Sequence, residues 1–270
     1  MLIWQREKRK QMKFEHTRTM NWEGALRGMR NPLNSWHKSD SLFGICNVIE
    51  PLQFEQDSEN KHTGYLAEYS RRPAYITYLS YPYAEYVSIG SEDMKLAQKL
   101  IRAGSEHRKF MRQIFICVDI TAPLYWWKEF DTYKVATVRN SCSTMHKIHS
   151  KPFSKDDFAH DAVDDVEIII AEQFNNTLTT LEQLRNKFNE TQDKKYWKAL
   201  IQMLPDGYEM KATLTFSYEN LLGMCSKGQR RHHKLNEWSG KDNPNVPYFI
   251  GWARTLPYSQ ELIFIDELEQ

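Results

Sequence analysis

The stretch from Asp119 to Ser150 constrains this 270-residue chain more than any other part of it. Asp119-Ile120-Thr121-Ala122-Pro123 reads as the end of a strand turning into a helix. Thr121 is placed to cap that helix, and proline is tolerated in a first turn, where its missing N–H has no intrahelical partner anyway. Leu124 to Phe130 then carries Trp126, Trp127 and Phe130, a heavy apolar load for two turns of helix. After Thr132-Tyr133-Lys134 and the β-prone Val135 to Val138 comes Arg139-Asn140-Ser141-Cys142-Ser143-Thr144. Those six side chains donate hydrogen bonds and include no carboxylate. Donors without acids, directly after a hydrophobic strand, suit a bound anion such as a phosphate. A polar loop capping the next helix has the same composition.

Charge excludes some classes of partner. The 36 basic residues balance 35 acidic ones, so no global field favours nucleic acid or a membrane surface. Cys46, Cys117, Cys142 and Cys225 are scattered, which is no disulfide framework and fits a reducing cytoplasm. No apolar run approaches the ~20 residues of a membrane span.

Read in order, residues 1–20 look like an appendage, and residues 21–270 like one α+β domain with an insertion at about 45–88. Ala25, Leu26 and Met29 mark a helix face that Asn31-Pro32 ends. A second helix runs from Ser91, its expected cap, to Gly104, with Glu92 and Asp93 at its positive start and Leu96, Ala97, Leu100 and Ile101 inward. Ile114 to Val118 is uniformly apolar and predicts a strand buried on both faces. A long helical middle follows, predicted as one helix from Ser154 to about Phe174, with Phe158, Val166, Ile169 and Ile170 inward, and two more to Met203. Lys211 to Tyr218 alternates as a half-buried strand. A helix from about Glu219 leads to the basic run Arg230 to Lys234, itself expected to be helical.

Cys142, His146 and His149 are spaced as possible metal ligands, but structural zinc shows paired clusters, so no metal is expected. Cys142 is also a candidate nucleophile, although no acid–base partner is evident nearby in sequence.

The order of these pieces resembles flavin-dependent thymidylate synthase, the ThyX type. Glu106-His107 before the central strand, Ala122-Pro123 with its aromatic helix, and the later strand followed by Arg231 and His233 carry the resemblance, over roughly residues 90–150 and 195–240. The family's Arg-His-Arg falls at Thr132, Tyr133 and Lys134, its substrate-contacting glutamate at Asn140, its serine at Cys142 and its next arginine at Thr144. Its strand-end asparagine falls at Ser217, and its later arginine at Arg230 or Arg231.

The resemblance implies a ThyX-like fold and one-carbon transfer to a pyrimidine deoxynucleotide such as dUMP. FAD would be the cofactor, with NADPH and methylenetetrahydrofolate as co-substrates, in a cytoplasmic homotetramer. It implies nucleotide contacts from Lys134, Arg139, Asn140, Ser141, Ser143, Arg230 and Arg231. Flavin contacts would come from His107, Lys134, Ser217 and His233, with Cys142 as the catalytic candidate. The changed Arg-His-Arg motif leaves an alternative, a non-catalytic descendant that binds a nucleotide or a partner.

Overall fold

A computed structural model describes residues 12–47, 74–80, 83–133, 135–228 and 230–268. Its elements begin with β1 (Lys13–Met20), α1 (Trp22–Arg30) and β2 (Leu42–Asn47). The hairpin β3 (Tyr75–Ser80) and β4 (Tyr83–Ser88) follows, then α2 (Ser91–Arg102), β5 (Phe115–Pro123), α3 (Leu124–Phe130) and β6 (Val138–Ser141). The helical middle is α4 (Asp161–Asp164), α5 (Ile168–Thr191) and α6 (Lys194–Met203). The chain closes with β7 (Glu209–Ser217), α7 (Tyr218–Met224), α8 (Asn236–Ser239), α9 (Phe249–Arg254) and α10 (Ser259–Leu262). One sheet has the order β1-β5-β7-β6, and a smaller one the order β2-β4-β3. This is a mixed helix-and-sheet architecture, as the sequence implies.

The chain packs as two compact units, the first built from residues 1–13, 121–132 and 140–212, the second from 14–120, 133–139 and 213–270. In the first, α5 and α6 pack Leu181 and Leu200 around Phe158 and Ile148. α3 buries Trp126, Trp127 and Phe130 as an aromatic triplet with ring centroids 5.0–5.7 Å apart. The Trp127 indole donates to the carbonyls of Ala122 and Met210, both at 3.0 Å.

The second unit is organised around a buried ion pair. Trp22, Ala25, Leu26 and Met29 turn one face of α1 into the core, and Arg30 follows them inward. Its Nε donates at 2.6 Å to Asp93, which is wholly buried in the first turn of α2. Ser39 and Ser41 hydroxyls each donate to the other carboxylate oxygen at 2.6 Å. Burial alone would raise the Asp93 carboxyl, but these hydrogen bonds and the Arg30 charge outweigh it and hold the pKa below the usual carboxylate range.

Several local expectations change. Lys13–Met20, grouped by sequence with an appendage, is a sheet strand. The described parts of 45–88 are strands, with Cys46 and Leu79 packed on Ile76 and Ala84; residues 48–73 and 81–82 lie outside the described residues. Thr121 does not cap α3, whose N-cap is Pro123. Ser91 does not cap α2 either: the Asp40 carboxylate accepts from the Glu92 and Asp93 N–H groups. β5 buries alternate residues, Ile116, Val118, Ile120 and Ala122, so it is not buried on both faces. Ser154 caps only a short 3-10 turn, and Val166, Ile169 and Ile170 are exposed. The apolar spacing across 166–170 is real, but no inward face lies beneath it.

Breaking a buried pair leaves one charge uncompensated, so Asp93→Asn should destabilise the chain by about 3–5 kcal/mol in denaturant unfolding at pH 7. The depressed pKa places this stability above the unfolded carboxyl pKa of about 3.9, and it disappears as pH falls through the lower folded value. The gap between wild type and variant should therefore shrink on acidification below about pH 4.

Candidate functional site

β7 alternates buried and half-exposed residues down its length and ends at Ser217, where the chain turns directly into α7. The turn is secured by a capping box. Ser217 Oγ accepts from the Asn220 N–H at 3.3 Å, and Asn220 Oδ1 accepts from the Ser217 N–H at 3.0 Å and hydroxyl at 2.8 Å. Ser217, expected to touch a flavin, is therefore buried and spent on the cap.

Three polar groups of α7 then each hold a different segment of the second unit. Glu219 accepts from Arg108 Nε at 3.0 and 3.1 Å, fixing the loop that carries His107. Asn220 Nδ2 donates at 2.8 Å to the Val135 carbonyl, holding the turn that leads into β6. The Gly223 carbonyl accepts from the Arg230 guanidinium. These three segments are the ones the sequence marks for flavin and nucleotide contacts. A helix of seven residues gathers them.

The turn before β6 is tight, with Ala136 in the left-handed region at φ 61°. For a residue with a Cβ that conformation costs about 1 kcal/mol or more and needs the surrounding anchors to persist. Beyond it, Arg139, Asn140 and Ser141 are exposed on β6, as are Cys142 and Ser143. Ser143 Oγ accepts from the N–H groups of Met145 and His146 at 3.2 and 2.8 Å, a local turn that leaves its hydroxyl hydrogen outward. The Cys142 N–H donates to the Lys211 carbonyl at 2.9 Å, and among the described residues no acid–base group hydrogen-bonds its thiol. Geometry therefore adds nothing to a nucleophilic role for Cys142.

Tyr133 is the residue that the sequence resemblance sets against a ThyX histidine. Its ring lies 4.5 Å beneath the Arg230 guanidinium and 5.4 Å from the buried Trp238. His233 packs 5.8 Å from the same Trp238, and its Nδ1 accepts from the Leu235 N–H at 3.1 Å. Arg231 differs from Arg230. It bonds Asp266 at 2.8 and 2.9 Å, lies 3.0 Å from Glu267, and donates to the Cys225 carbonyl. Hydrogen bonds from Arg231 hold Asp266 below the ordinary carboxyl range, and those from Arg254 do the same for Glu267. A phosphate would have to displace two carboxylates from Arg231, so Arg230 is the better of the two candidates. The basic run is a series of turns and not the expected helix.

His107 is exposed in the loop after α2. Lys134 lies outside the described residues. Thr132 donates its hydroxyl to the Glu129 carbonyl at 2.8 Å and so finishes α3. His149 stacks edge-on against Phe188, 4.8 Å away, while His146 and Cys142 are exposed.

Sequence reasoning overlooked Arg108, Glu219, Asn220 and Gly223. The spacing Ser217-x-x-Asn220 at a strand-to-helix junction was the readable signal for the cap; the Arg108–Glu219 pair, 111 residues apart, has none.

No protein-family model matches the chain, and no curated protein sequence matches it significantly. Solved structures do. Two structures of Helicobacter pylori ThyX, a flavin-dependent thymidylate synthase complexed with FAD and dUMP, are 12% identical with a TM-score of 0.53. They match 95% and 96% of this chain and 98% and 99% of their own. A UMP/dUMP methylase, PolB from Streptomyces cacaoi, bound with 5-Br UMP, is 10% identical with a TM-score of 0.39 over 51% of this chain and 65% of its own. At this identity the ThyX likeness is one of fold.

Removing the Asn220 side chain deletes the reciprocal half of the capping box and the Val135 anchor together, while Ser217 still accepts from the backbone N–H of residue 220. Asn220→Ala should lower stability by about 1–2 kcal/mol and raise amide hydrogen exchange across 135–139. Asn220→Asp keeps the cap acceptor but cannot donate to Val135, so it should keep most of the stability and lose the exchange protection.

Proposed function

We propose that the protein is a flavin- and nucleotide-dependent enzyme that transfers a one-carbon unit to a pyrimidine deoxynucleotide, dUMP or a relative. The observation that carries this reading is the gathering of the 104–108, 133–139 and 230–238 segments by α7. Those segments match the ThyX resemblance in sequence order, and the whole-chain fold likeness to ThyX supports the same reading independently of it.

The residues present fit an anionic nucleotide. On β6 and just beyond it, Arg139, Asn140, Ser141 and Ser143 stand exposed with no carboxylate among them. Charge-assisted bonds to phosphate are worth about 1.5–3 kcal/mol each. With Thr132 committed to the end of α3, Arg139 carries most of that attraction. Arg230 lies over Tyr133, 4.5 Å from the ring centroid, and would supply a second cationic donor. His107 and His233, with Lys134, are the positions for holding FAD, which when bound supplies the hydride. The protein's own part is binding and orientation, since the cofactors carry the chemistry. Methylenetetrahydrofolate as carbon donor, NADPH as reductant and a homotetrameric assembly complete the proposal.

One observation favours a second reading. Tyr133, placed between Arg230 and the tilted ring of Trp238, fills space beside residues assigned to the cofactor. A non-catalytic descendant that keeps nucleotide binding and has lost flavin would have this feature.

Calorimetric titration with dUMP tests the nucleotide site that both readings share. Arg139→Ala should raise the dUMP dissociation constant at least tenfold, about 1.4 kcal/mol. Arg231→Lys should leave it within about threefold, provided the variant keeps its melting temperature. An unchanged constant in Arg139→Ala would remove Arg139 from the phosphate site.

A further inference from the structure

β1 departs from regular strand geometry at His16, whose φ is 55°. The consequence is visible in the residues on either side of it. Phe14 stacks on Trp252 at 5.1 Å, and Thr17, three residues on, accepts from the same Trp252 indole at 3.1 Å. A regular strand places residues three apart on opposite faces. The left-handed residue at His16 therefore brings Thr17, and with it Thr19 two residues on, to the side that Phe14 occupies.

That side opens into a cavity of about 390 Å³, in the size range of small-molecule sites. His16, Thr17 and Thr19 line it from β1, with Ile76 and Leu79 from β3 and Leu256 after α9. A neighbouring cavity of about 330 Å³ shares Thr19 and Thr77 with it. Asn21, at φ 64°, lines the second cavity, and Tyr258, at φ 52°, follows directly on Pro257, which lines the first. Of the left-handed non-glycine residues among those described, His16 thus lines the first cavity and Asn21 its neighbour. Backbone held in such conformations concentrates at ligand sites.

The hydroxyl chemistry defines what fits. Thr19, 2% exposed, accepts from the Trp22 indole at 3.0 Å, as Thr17 does from Trp252. Each hydroxyl oxygen thereby fills one of its two acceptor positions, and its O–H remains able to donate. An indole donor behind each hydroxyl polarises it and strengthens that outward bond. On the adjacent face Arg18 stacks 4.1 Å over Tyr78, a cavity-lining ring, with its Nε buried and unpartnered. Glu85 pairs with the other end of that guanidinium, so the donors carry little net charge between them.

We propose that this cavity is a ligand site for a small molecule with an apolar body and an oxygen head, carboxylate or carbonyl, that accepts from Thr17 and Thr19. None of its residues belongs to the nucleotide assignment, and it stands or falls separately from the proposed activity.

The test is a ligand-observed NMR titration of the full chain with phenylacetate, phenylacetamide and toluene. The proposal expects saturable binding of phenylacetate or phenylacetamide, with their ratio identifying the preferred head, and at least tenfold weaker binding of toluene. Thr17→Val and Thr19→Val should each weaken the better probe at least tenfold while leaving dUMP affinity unchanged. Should Thr19→Val unfold through loss of the Trp22 partner, Thr17→Val alone decides. The proposal is overturned if neither oxygen-bearing probe saturates, if toluene binds as well, or if a folded valine variant binds like wild type.

Discussion

The candidate nucleotide site depends on one short helix. α7 is seven residues long, too short to be stable by itself, and it exists because Tyr218, Leu221 and Met224 are buried beneath it. That buried face frees the opposite one for tethering. Glu219 and Asn220 reach two loops that are distant in sequence and the Gly223 carbonyl holds Arg230 seven residues on, and each bond is charge-assisted or made by an amide fixed in a cap. Loops placed by a rigid element are where binding residues are concentrated. The site's precision is therefore inherited from the β7–α7 junction.

Further support comes from two ion clusters in the same unit. Arg30 and Asp93, with Ser39 and Ser41, join α1, the loop after it and α2 in a buried cluster. Near the C-terminus Arg231 and Arg254 share Glu267, and both guanidinium groups stack over the buried Phe264. Removing one partner of a buried or half-buried ion pair leaves the other charge uncompensated, so both clusters resist disruption. They also divide the basic run: Arg231 serves the scaffold, and its neighbour Arg230 faces Tyr133.

Much of the fold was legible where a periodic pattern coincided with a real interior. The stripe Ala97 and Ile101 of α2, the inward face of α1, and the alternation of Ala212, Leu214 and Phe216 on β7 all correspond to buried positions. The pattern misled where apolar residues lack an interior, as at Ile168 to Ile170, or where an interior holds a charge, as at Asp93. By sequence Asp93 suits the positive start of a helix; only tertiary structure supplies Arg30 as its partner. In the site, Arg139 and its neighbours were legible as donors without acids. The tethering residues were not, because Arg108–Glu219 and Asn220–Val135 join positions 111 and 85 apart. A single sequence carries no periodicity that links such residues.

The central claim is that this fold holds a flavin beside the nucleotide. It is tested most directly by the visible absorption spectrum of the purified protein after incubation with FAD and desalting. The account predicts a retained flavin band near stoichiometric amounts, perturbed when dUMP is added. A colourless protein that nevertheless binds dUMP would contradict it, and would identify the chain as a nucleotide-binding descendant in which Tyr133 has closed the cofactor's place.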